Sequence, residues 1–355
     1  MIVPKITTII PTFKRPRLLK RAIESVLTQS FKNFEIHIYD NASGDETEEI
    51  VAEYIQRDKR IFYFKNEKNI GALNNIIQGI RSVNTEFYSI LSDDDFILPK
   101  FYENAIHEFE ECPLAGFVCA KTLTVDIVNE QMQFRNRDWS PGFYQPSKVI
   151  ASKMYNSHFV STGVLFRQRV RYLVGEFEAS GNDVLFMTMA AAIMPFVVVK
   201  DYGAVFSMHA ESYSANGGML KEEDSLLNKN LLATIQSVMK LELHDEIKVH
   251  LLMLTVKTYR KALEPNFQQK LPKQTYASKL VFKVYQISPK IIHSLLSRCI
   301  NLLRLFKTQI FKKESAEWSE LPLSAKFFLL NSETDINKFL PCLITDQNKD
   351  WFKDI

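Results

Sequence analysis

The chain has 355 residues, of which 46% are hydrophobic and 24% are charged, and its formal net charge is +3. This composition excludes a disordered chain and is sufficient for one large domain with an appendage or for two domains. The longest apolar stretch, Met187 to Val199, is shorter than the roughly 20 residues that span a bilayer. With no recognisable signal peptide and four scattered cysteines, the sequence predicts a cytoplasmic protein with reduced thiols.

Positive charge is concentrated near the end of the chain. Ten Lys and Arg and no Asp or Glu lie between Pro265 and Lys313, and apolar residues are interspersed with the basic ones from Ile291 to Phe306. This pattern predicts that residues 270–313 associate with an anionic membrane surface. The alternative is a helical appendage that packs on the rest of the chain or on another subunit. Because the body of the chain is slightly acidic, we expect no nucleic-acid partner.

The first 125 residues alternate between predicted strands and helices. Pro16 suits the first turn of a helix, and Ser43 with Glu46 resembles a capping box that opens another. The predicted strands are Ile6–Ile10, Phe34–Tyr39, Ile61–Phe64 and Phe87–Leu91, and the predicted helices are Pro16–Gln29, Asp45–Gln56 and Gly71–Val83. This order predicts an α/β fold with a mostly parallel sheet flanked by helices.

Beyond residue 126 the pattern is less regular. Short strands are predicted at Val164–Phe166, Phe196–Lys200 and Ala204–Met208, and a helix is predicted to open at Asn182 and Asp183. Residues 222–264 and 275–313 are predicted to be helical. We therefore divide the chain into an α/β domain, residues 1–220, and a helical, basic C-terminal region, residues 221–355.

Three polar clusters follow predicted strands. They are Pro11-Thr12-Phe13, Asp40-Asn41 and Asp93-Asp94-Asp95. In a parallel sheet the carboxyl ends of the strands meet at one edge, where ligands bind, so we expect the three clusters to lie together. The adjacent acids repel one another and require a counter-charge, which a hard divalent cation holding a diphosphate supplies. The alternative is a solvated acidic turn before a helix that begins near Pro99.

The order of these motifs resembles that of family 2 glycosyltransferases with the GT-A fold, over roughly residues 4–215. The segments that carry the resemblance are Ile9–Phe13, Gln29-Ser30, Tyr39–Ser43, Asn69-Ile70-Gly71, Asp93–Asp95 and Leu98-Pro99. The resemblance implies a Rossmann-like catalytic domain. Residues 1–125 would form its nucleotide-binding half, and residues 126–220 its acceptor half.

The resemblance also implies roles on the nucleoside side of the site. Asp40 matches the residue that accepts a hydrogen bond from the ring N–H of uracil or thymine, and an ionised carboxylate suits that donor. Its alternative role is that of a residue flanking a helix. The further positions implied to contact the nucleotide sugar are Pro11, Thr12, Phe13, Asn69, Gly71 and Asn75. Ile76 and Ile77 replace an Arg-Asn pair of many relatives, so a charge contact to the donor is missing or comes from elsewhere.

For the acid cluster, the resemblance implies one ribose contact and a site for Mg²⁺ or Mn²⁺. Asp93 is the expected ribose contact and Asp94 the expected metal ligand, while Asp95 could share either role. His209 follows a predicted strand at the place of a His that contacts the diphosphate or the metal in many relatives. The metal would neutralise charge as the nucleoside diphosphate departs.

The catalytic base is expected in the segment from Val174 to Asp183. Asp183 is implied to deprotonate the acceptor hydroxyl, with Asn182 in place of the usual Glu. Glu176 and Glu178 are the alternatives, and Asp183 could instead only stabilise a helix terminus. Glu211–Gly218 is expected to be a flexible lid. The expected acceptor-side residues are Trp139, Thr162 and Gly163.

Together these patterns predict an inverting, metal-dependent glycosyltransferase that moves a sugar from a UDP- or dTDP-sugar to an acceptor hydroxyl. We expect the acceptor to be a lipid-linked saccharide or another glycan, in surface polysaccharide assembly at the inner face of the cell membrane. A nucleotidyltransferase is the enzymatic alternative, although no glycine-rich loop follows the first strand. A catalytically degenerate sugar-nucleotide binder or scaffold is the other alternative.

Overall fold

The computed structural model describes residues 4–126, 129, 131–174, 183–209, 212 and 224–259. Its strands are β1 (Ile6–Thr12), β2 (Phe34–Asp40), β3 (Ile61–Lys65), β4 (Phe87–Ile90), β5 (Phe96–Ile97), β6 (Phe117–Asp126), β7 (Gln131–Phe134), β8 (Gly142–Tyr144), β9 (Val164–Arg167) and β10 (Phe196–Met208). Its helices are α1 (Pro16–Leu27), α2 (Thr47–Arg57), α3 (Ala72–Ser82), α4 (Phe101–Glu111), α5 (Lys148–Asn156), α6 (Arg169–Val174), α7 (Asp183–Ile193), α8 (Asp224–Lys240) and α9 (Asp245–Thr258), with a 3₁₀ turn at Ser161–Gly163.

The strands form one sheet in the order β3-β2-β1-β4-β9-β6-β10-β5, with β7 paired to β6 and β8 paired to β10. The pairs β1–β2, β2–β3, β1–β4 and β6–β10 are parallel, and the others are antiparallel. The expected mostly parallel central sheet flanked by helices is thus confirmed. Thr12 pairs with Asp40 in the β1–β2 register, so the first two polar clusters are neighbours.

The sheet is buried on both faces because its central strands are apolar throughout. Ile9 faces a core that includes residues of α3 and α7, whereas Ile6 and Ile10 face a core that includes residues of α1, α2 and α4. This alternation is the consequence of the two-residue period of a strand. A Cβ on Gly79 would lie 2.4 Å from the Ile9 side chain, so α3 can pack this closely on β1 only because residue 79 is glycine.

Two local expectations are wrong. The predicted capping box is absent, because the Ser43 hydroxyl donates to Asp40 Oδ1 and α2 begins later, at Thr47. Asp45 Oδ1 accepts from the Thr47 backbone N–H at 3.0 Å instead. The two strands predicted around Asp201 are one long strand, β10, whose register against β6 shifts near Tyr202.

In the part of the C-terminal region that the structure describes, α8 and α9 pack against each other. Leu231, Ile235 and Leu251 from these helices are buried in the same apolar core as α7. The segment 270–313, for which we predicted membrane association, lies outside the described residues. No helix in the described ranges is both long enough and apolar enough to cross a membrane.

Candidate functional site

The three acids after β4 lie side by side at the carboxyl edge of the sheet, and all are buried. Asp93 is 5% exposed, Asp94 8% and Asp95 1%. They are therefore not the solvated turn that was the alternative. Their side chains point to three different sets of partners, so the cluster consists of three carboxylates with separate tasks.

Asp93 is held by residues that follow the first strand. The Thr12 hydroxyl donates to its Oδ2 at 2.8 Å, and Arg15 Nη1 donates to its Oδ1 at 3.2 Å. Burial, followed by repulsion from Asp94, raises the pKa of Asp93 to about 6, although Arg15 and Thr12 oppose the shift. Asp93, the expected ribose contact, therefore lies between the carboxyl ends of β1 and β4.

Asp94 faces two cationic or potentially cationic groups. Arg15 Nη1 donates to Asp94 Oδ2 at 2.9 Å, and His209 Nε2 lies 3.1 Å from the same oxygen. His209 follows β10, so the fold brings together two predicted site residues that are far apart in the chain. The sequence singled out both residues but not Arg15, which occupies the N-cap position of α1.

Asp95 turns into the protein and away from this group. Its Oδ2 accepts from the Thr162 hydroxyl at 2.6 Å, and its Oδ1 accepts from the Ser207 backbone N–H at 2.8 Å. Burial, with repulsion from Asp94, raises its pKa well above the usual range. Both oxygens thus accept hydrogen bonds within the protein, so this carboxylate joins β10 to the 3₁₀ turn, and its share in a metal site stays a prediction.

Arg21 is a residue of the site that the sequence did not single out. It is 4% exposed on α1, where Nη2 donates to the Asp94 backbone carbonyl oxygen and, at 3.1 Å, to the Ser207 hydroxyl. Burial lowers the pKa of Arg21, and attraction by Asp95, Asp94 and Asp93 opposes that shift. The counter-charge that the triple acid requires therefore comes in part from inside the protein.

Arg21 begins a polar stripe of residues spaced by four, formed by Arg21 and Ser25 on α1 and by Gln29 just beyond its end. The Ser25 hydroxyl oxygen accepts from the Ile97 backbone N–H at 3.3 Å. Gln29 donates to the Leu98 carbonyl oxygen at 2.8 Å and accepts from the Tyr102 backbone N–H at 3.1 Å. The stripe thus holds the segment that carries the acids, and its spacing is the sequence signal that could have identified Arg21.

On the nucleoside side, Asp40 is buried and hydrogen-bonded. The Ser43 backbone N–H and hydroxyl both donate to Asp40 Oδ1, and the Tyr63 hydroxyl donates to Oδ2 at 2.6 Å. Ser43 Oγ also accepts from the Lys14 backbone N–H at 2.9 Å. Lys14 has a φ of 54°, so this hydrogen bond holds a strained turn between Phe13 and Arg15. The turn links Asp40 to the acid cluster.

Among the predicted donor-contacting residues, Pro11 lies within β1 and pairs with Tyr39, and Phe13 is 37% exposed. Phe13 is therefore open to a ligand. Asn75, in contrast, is buried, and its amide donates to the Tyr39 carbonyl oxygen at 2.7 Å and accepts from Asn66 at 2.9 Å. This corrects the expectation that Asn75 contacts the donor. Its side chain instead hydrogen-bonds to β2, the strand that carries Asp40.

Asn69 and Gly71 belong to the turn before α3. Asn69 Oδ1 accepts from the Asn41 amide at 2.9 Å and from the Gly71 backbone N–H at 2.8 Å. Gly71 has a φ of 86°, which only glycine adopts without strain, and it is exposed. The turn therefore lies at the same edge as Asp40 and is fixed to it through Asn41.

Asp183 is the first residue of α7 and is partly exposed. Its charge acts on Arg135 and on His158, two residues that the sequence did not single out. The alternatives Glu176 and Glu178, with Asn182 and most of the predicted lid, lie outside the described residues. The predicted base is thus within electrostatic reach of a cation and an imidazole.

The three predicted acceptor-side residues are buried. Trp139 is 0% exposed, and its indole N–H donates to the Ser157 carbonyl oxygen at 2.8 Å. Trp139 is therefore a core residue, and the expected acceptor contact is corrected. Thr162 supports Asp95, and a Cβ on Gly163 would lie 2.9 Å from the Thr122 hydroxyl oxygen. Both residues are buried and have no exposed surface that an acceptor could contact.

The side chains at this edge suit a metal ion whose coordination is completed by a bound ligand. In the described part of the chain, no group of three or more His, Cys, Asp or Glu side chains could enclose a metal. Asp94 and His209 present one carboxylate and one imidazole within 3.1 Å of each other. Mg²⁺ and Mn²⁺ are commonly held by one or two protein ligands with the oxygens of a bound phosphate. The pair therefore fits a cation bound together with a diphosphate.

Comparison with known proteins relates this chain to glycosyltransferases. Residues 7–175 match the family described as Glycosyl transferase family 2. A GalNAc(5)-diNAcBac-PP-undecaprenol beta-1,3-glucosyltransferase of Campylobacter jejuni is 31% identical over 173 residues, which cover 44% of this chain and 56% of that protein. An uncharacterised glycosyltransferase of Methanocaldococcus jannaschii is 35% identical over 109 residues, 30% of this chain and 38% of that protein. The similarity thus spans about half, or less, of these relatives.

Among solved structures, TarS of S. aureus in complex with UDP-GlcNAc matches with a TM-score of 0.56 and 17% identity, and the match covers 76% of each chain. At this level of identity the similarity concerns the fold alone. It is the GT-A arrangement that the motif order implied.

Proposed function

We propose that this chain, whose residues 7–175 match glycosyltransferase family 2, moves a sugar from a UDP- or dTDP-sugar to an acceptor hydroxyl with inversion at the anomeric carbon. The observation that carries the proposal is the 3.1 Å approach of His209 to Asp94 at the same sheet edge as Asp40. The site thus combines a hydrogen-bond acceptor for the nucleobase, a carboxylate–imidazole pair that can hold a cation, and a carboxylate at the start of α7.

The chain's own residues would bind the donor in sections. Asp40 would accept the ring N–H of the base, the Phe13 ring would flank it, and Asp93 would contact the ribose. Arg15 is 21% exposed and already reaches Asp93 and Asp94, so it can supply the charge contact that Ile76 and Ile77 lack. Asp94 and His209 would hold Mg²⁺ or Mn²⁺, which when bound supplies positive charge that stabilises the departing diphosphate.

Asp183 is the proposed general base. It would take the proton of the acceptor hydroxyl while that oxygen forms a bond to the anomeric carbon. The bond between that carbon and the diphosphate oxygen breaks on the opposite side, and the nucleoside diphosphate leaves. A single displacement inverts the configuration.

The acceptor that we propose is a lipid-linked saccharide in surface glycan assembly. The name of the Campylobacter relative describes such an acceptor, and the basic segment 270–313 suits a membrane surface. Vesicle co-sedimentation tests the membrane part. A chain truncated after residue 264 should bind anionic vesicles less than the full chain, and equal binding by both would contradict it.

The decisive experiment measures donor binding and transfer separately. A panel of nucleotide sugars with Mn²⁺ is screened for thermal stabilisation of the protein, and the stabilising donor is then assayed for transfer. Asp183→Asn should bind that donor as the wild type does and lose at least about a hundredfold in turnover. Asp201→Asn, an exposed acid on β10, is the matched control. Near-normal turnover by Asp183→Asn would contradict the assignment of the base, and donor binding without any turnover in the wild type would indicate a degenerate binder.

A further inference from the structure

Arg135 has no role in the reaction proposed above, and it is the residue that follows β7. Its backbone N–H donates to the Thr122 carbonyl oxygen on β6 at 2.9 Å, and its guanidinium lies 5.7 Å from the centroid of the Phe206 ring. Phe206 directly precedes Ser207, whose backbone N–H holds Asp95. These contacts place the guanidinium near the strand segment that holds Asp95.

The Arg135 side chain is half-buried, and it donates no hydrogen bond to any residue within the described ranges. Burial lowers the pKa of Arg135, and attraction first by Asp183 and then by Asp95 opposes that shift. A guanidinium has five N–H donors in a planar fork, and partly buried donors are normally satisfied. The charges of both carboxylates therefore act on Arg135, and within the described residues no hydrogen bond joins its side chain to either of them.

A simple counter-ion role does not account for this position. Asp95 is already satisfied by Thr162 and Ser207, and Arg21 approaches the acids from α1. An arginine that served only Asp183 would be expected to form a direct, often bidentate, ion pair with it. Among the described residues, none accepts a hydrogen bond from the guanidinium, and we infer that its fork is available to a third group.

His158 belongs to the same cluster. The Asn136 amide donates to the His158 carbonyl oxygen at 3.0 Å, which fixes His158 beside the residue that follows Arg135. Burial lowers the pKa of His158, with Asp183 opposing the shift and Arg135 reinforcing it. A neutral imidazole can both donate to and accept from a sugar hydroxyl. The charge of Asp183 thus acts on one side chain that can bind an anion, Arg135, and on one that can bind a hydroxyl, His158.

We propose that Arg135 forms an anion subsite that binds a carboxylate or phosphate group carried by the sugar positioned next to Asp183. The inference rests on the proposed function, since Asp183 and the acid cluster define where the reacting sugars lie. It adds a substrate class: one of the two sugars in the reaction is acidic. The same chemistry can be carried by the acceptor or by the donor sugar, and the test separates the two.

The test uses the full chain with UDP and Mn²⁺ and measures binding by calorimetry. For the acceptor, glucuronate and glucose 6-phosphate are compared with glucose. For the donor, UDP-glucuronic acid is compared with UDP-glucose. We expect the acidic member of one set to bind about tenfold more tightly than the neutral one, as for a charge-assisted hydrogen bond. Arg135→Gln should abolish this preference.

Arg137→Gln is the matched control, because Arg137 is exposed two residues away and lies over a different ring, that of Phe134. Should Arg135→Gln fail to fold, Arg135→Met keeps an apolar stem against Phe206 and serves instead. Equal binding of acidic and neutral probes in both sets would overturn the inference, and so would a preference that survives loss of Arg135. Failure of UDP and every other nucleotide to bind would contradict the proposed function, whereas normal UDP binding without an acid preference contradicts only this subsite.

Discussion

Arg21 on α1 donates a hydrogen bond to the backbone carbonyl oxygen of Asp94, and this contact joins a buried cation to the middle of the acid cluster. Nε and Nη1 of Arg21 have no hydrogen-bond partner in the part of the chain that the structure describes. The charges of the three acids, more than hydrogen bonds, therefore compensate the burial of this guanidinium. The acids are held together before any cation or donor arrives.

Removing that cation should destabilise the protein. Arg21→Gln leaves three buried acids without their internal counter-charge, and we expect the free energy of unfolding to fall by about 3 kcal/mol. Urea denaturation measures it. Lys20→Gln, exposed on the same helix, should stay within about 0.5 kcal/mol of the wild type. The double variant Arg21→Gln with Asp95→Asn should recover part of the loss, and an additive loss would show that the two charges are not coupled.

Gln29 should be nearly as important for the position of the acids. Gln29→Ala removes the hydrogen bonds to the Leu98 carbonyl oxygen and the Tyr102 backbone N–H, so this buried N–H loses its side-chain acceptor, whereas the Leu98 oxygen still accepts from the Phe101 N–H at 3.0 Å. We expect a loss of about 2 kcal/mol in urea denaturation. Thr28→Ala, an exposed neighbour, is the control and should change stability by less than about 0.5 kcal/mol. Similar stabilities of both variants would refute a bracing role for the polar stripe.

Asp40 should determine the choice of base. An ionised carboxylate accepts from the ring N–H of uracil, whereas cytosine has no such proton, so UDP should bind at least about tenfold more tightly than CDP. In Asp40→Asn this discrimination should largely disappear. Tyr63→Phe removes only the hydroxyl on Asp40 Oδ2 and should retain the preference for UDP. Calorimetry with the two diphosphates measures both effects, and equal discrimination by wild type and Asp40→Asn would contradict this role.

Stability should fall below neutral pH through His250, which joins α9 to α5 by a 2.6 Å contact between Nε2 and the Ser152 hydroxyl. Burial, and then the charge of Lys148, lowers the pKa of His250 below the usual 6.5. The unfolded chain therefore binds this proton at a higher pH than the folded one. The stabilisation present above about pH 6.5 should decline as the pH falls toward the folded pKa.

Thermal unfolding between pH 5 and 7.5 tests this dependence. His250→Gln should flatten part of the decline, whereas His107→Gln, exposed on α4, should leave the profile unchanged. An identical decline in His250→Gln would show that other groups are responsible.

The sequence alone was sufficient for the resemblance to family 2 glycosyltransferases, the α/β class and the parallel half of the sheet. These depend on local patterns: continuous apolar strands such as Ile6–Ile10, one apolar face on α1, and motifs in a fixed order. The expectation that Thr12, Asp40 and Asp93 lie together followed from topology, because parallel strands end at one edge, and the β1–β2 and β1–β4 pairings confirm it.

Only the tertiary structure decided how the individual side chains are used. Whether a carboxylate faces a ligand or the interior depends on partners that come from distant parts of the chain: Asp95 meets Thr162 and Ser207, and Asp94 meets His209. The local sequence does not record whether a tryptophan is buried or exposed, so the burial of Trp139 could not be predicted. The counter-charge of Arg21 was equally hidden, because its burial results from the packing of α1 against the segment after β4, which no local pattern records.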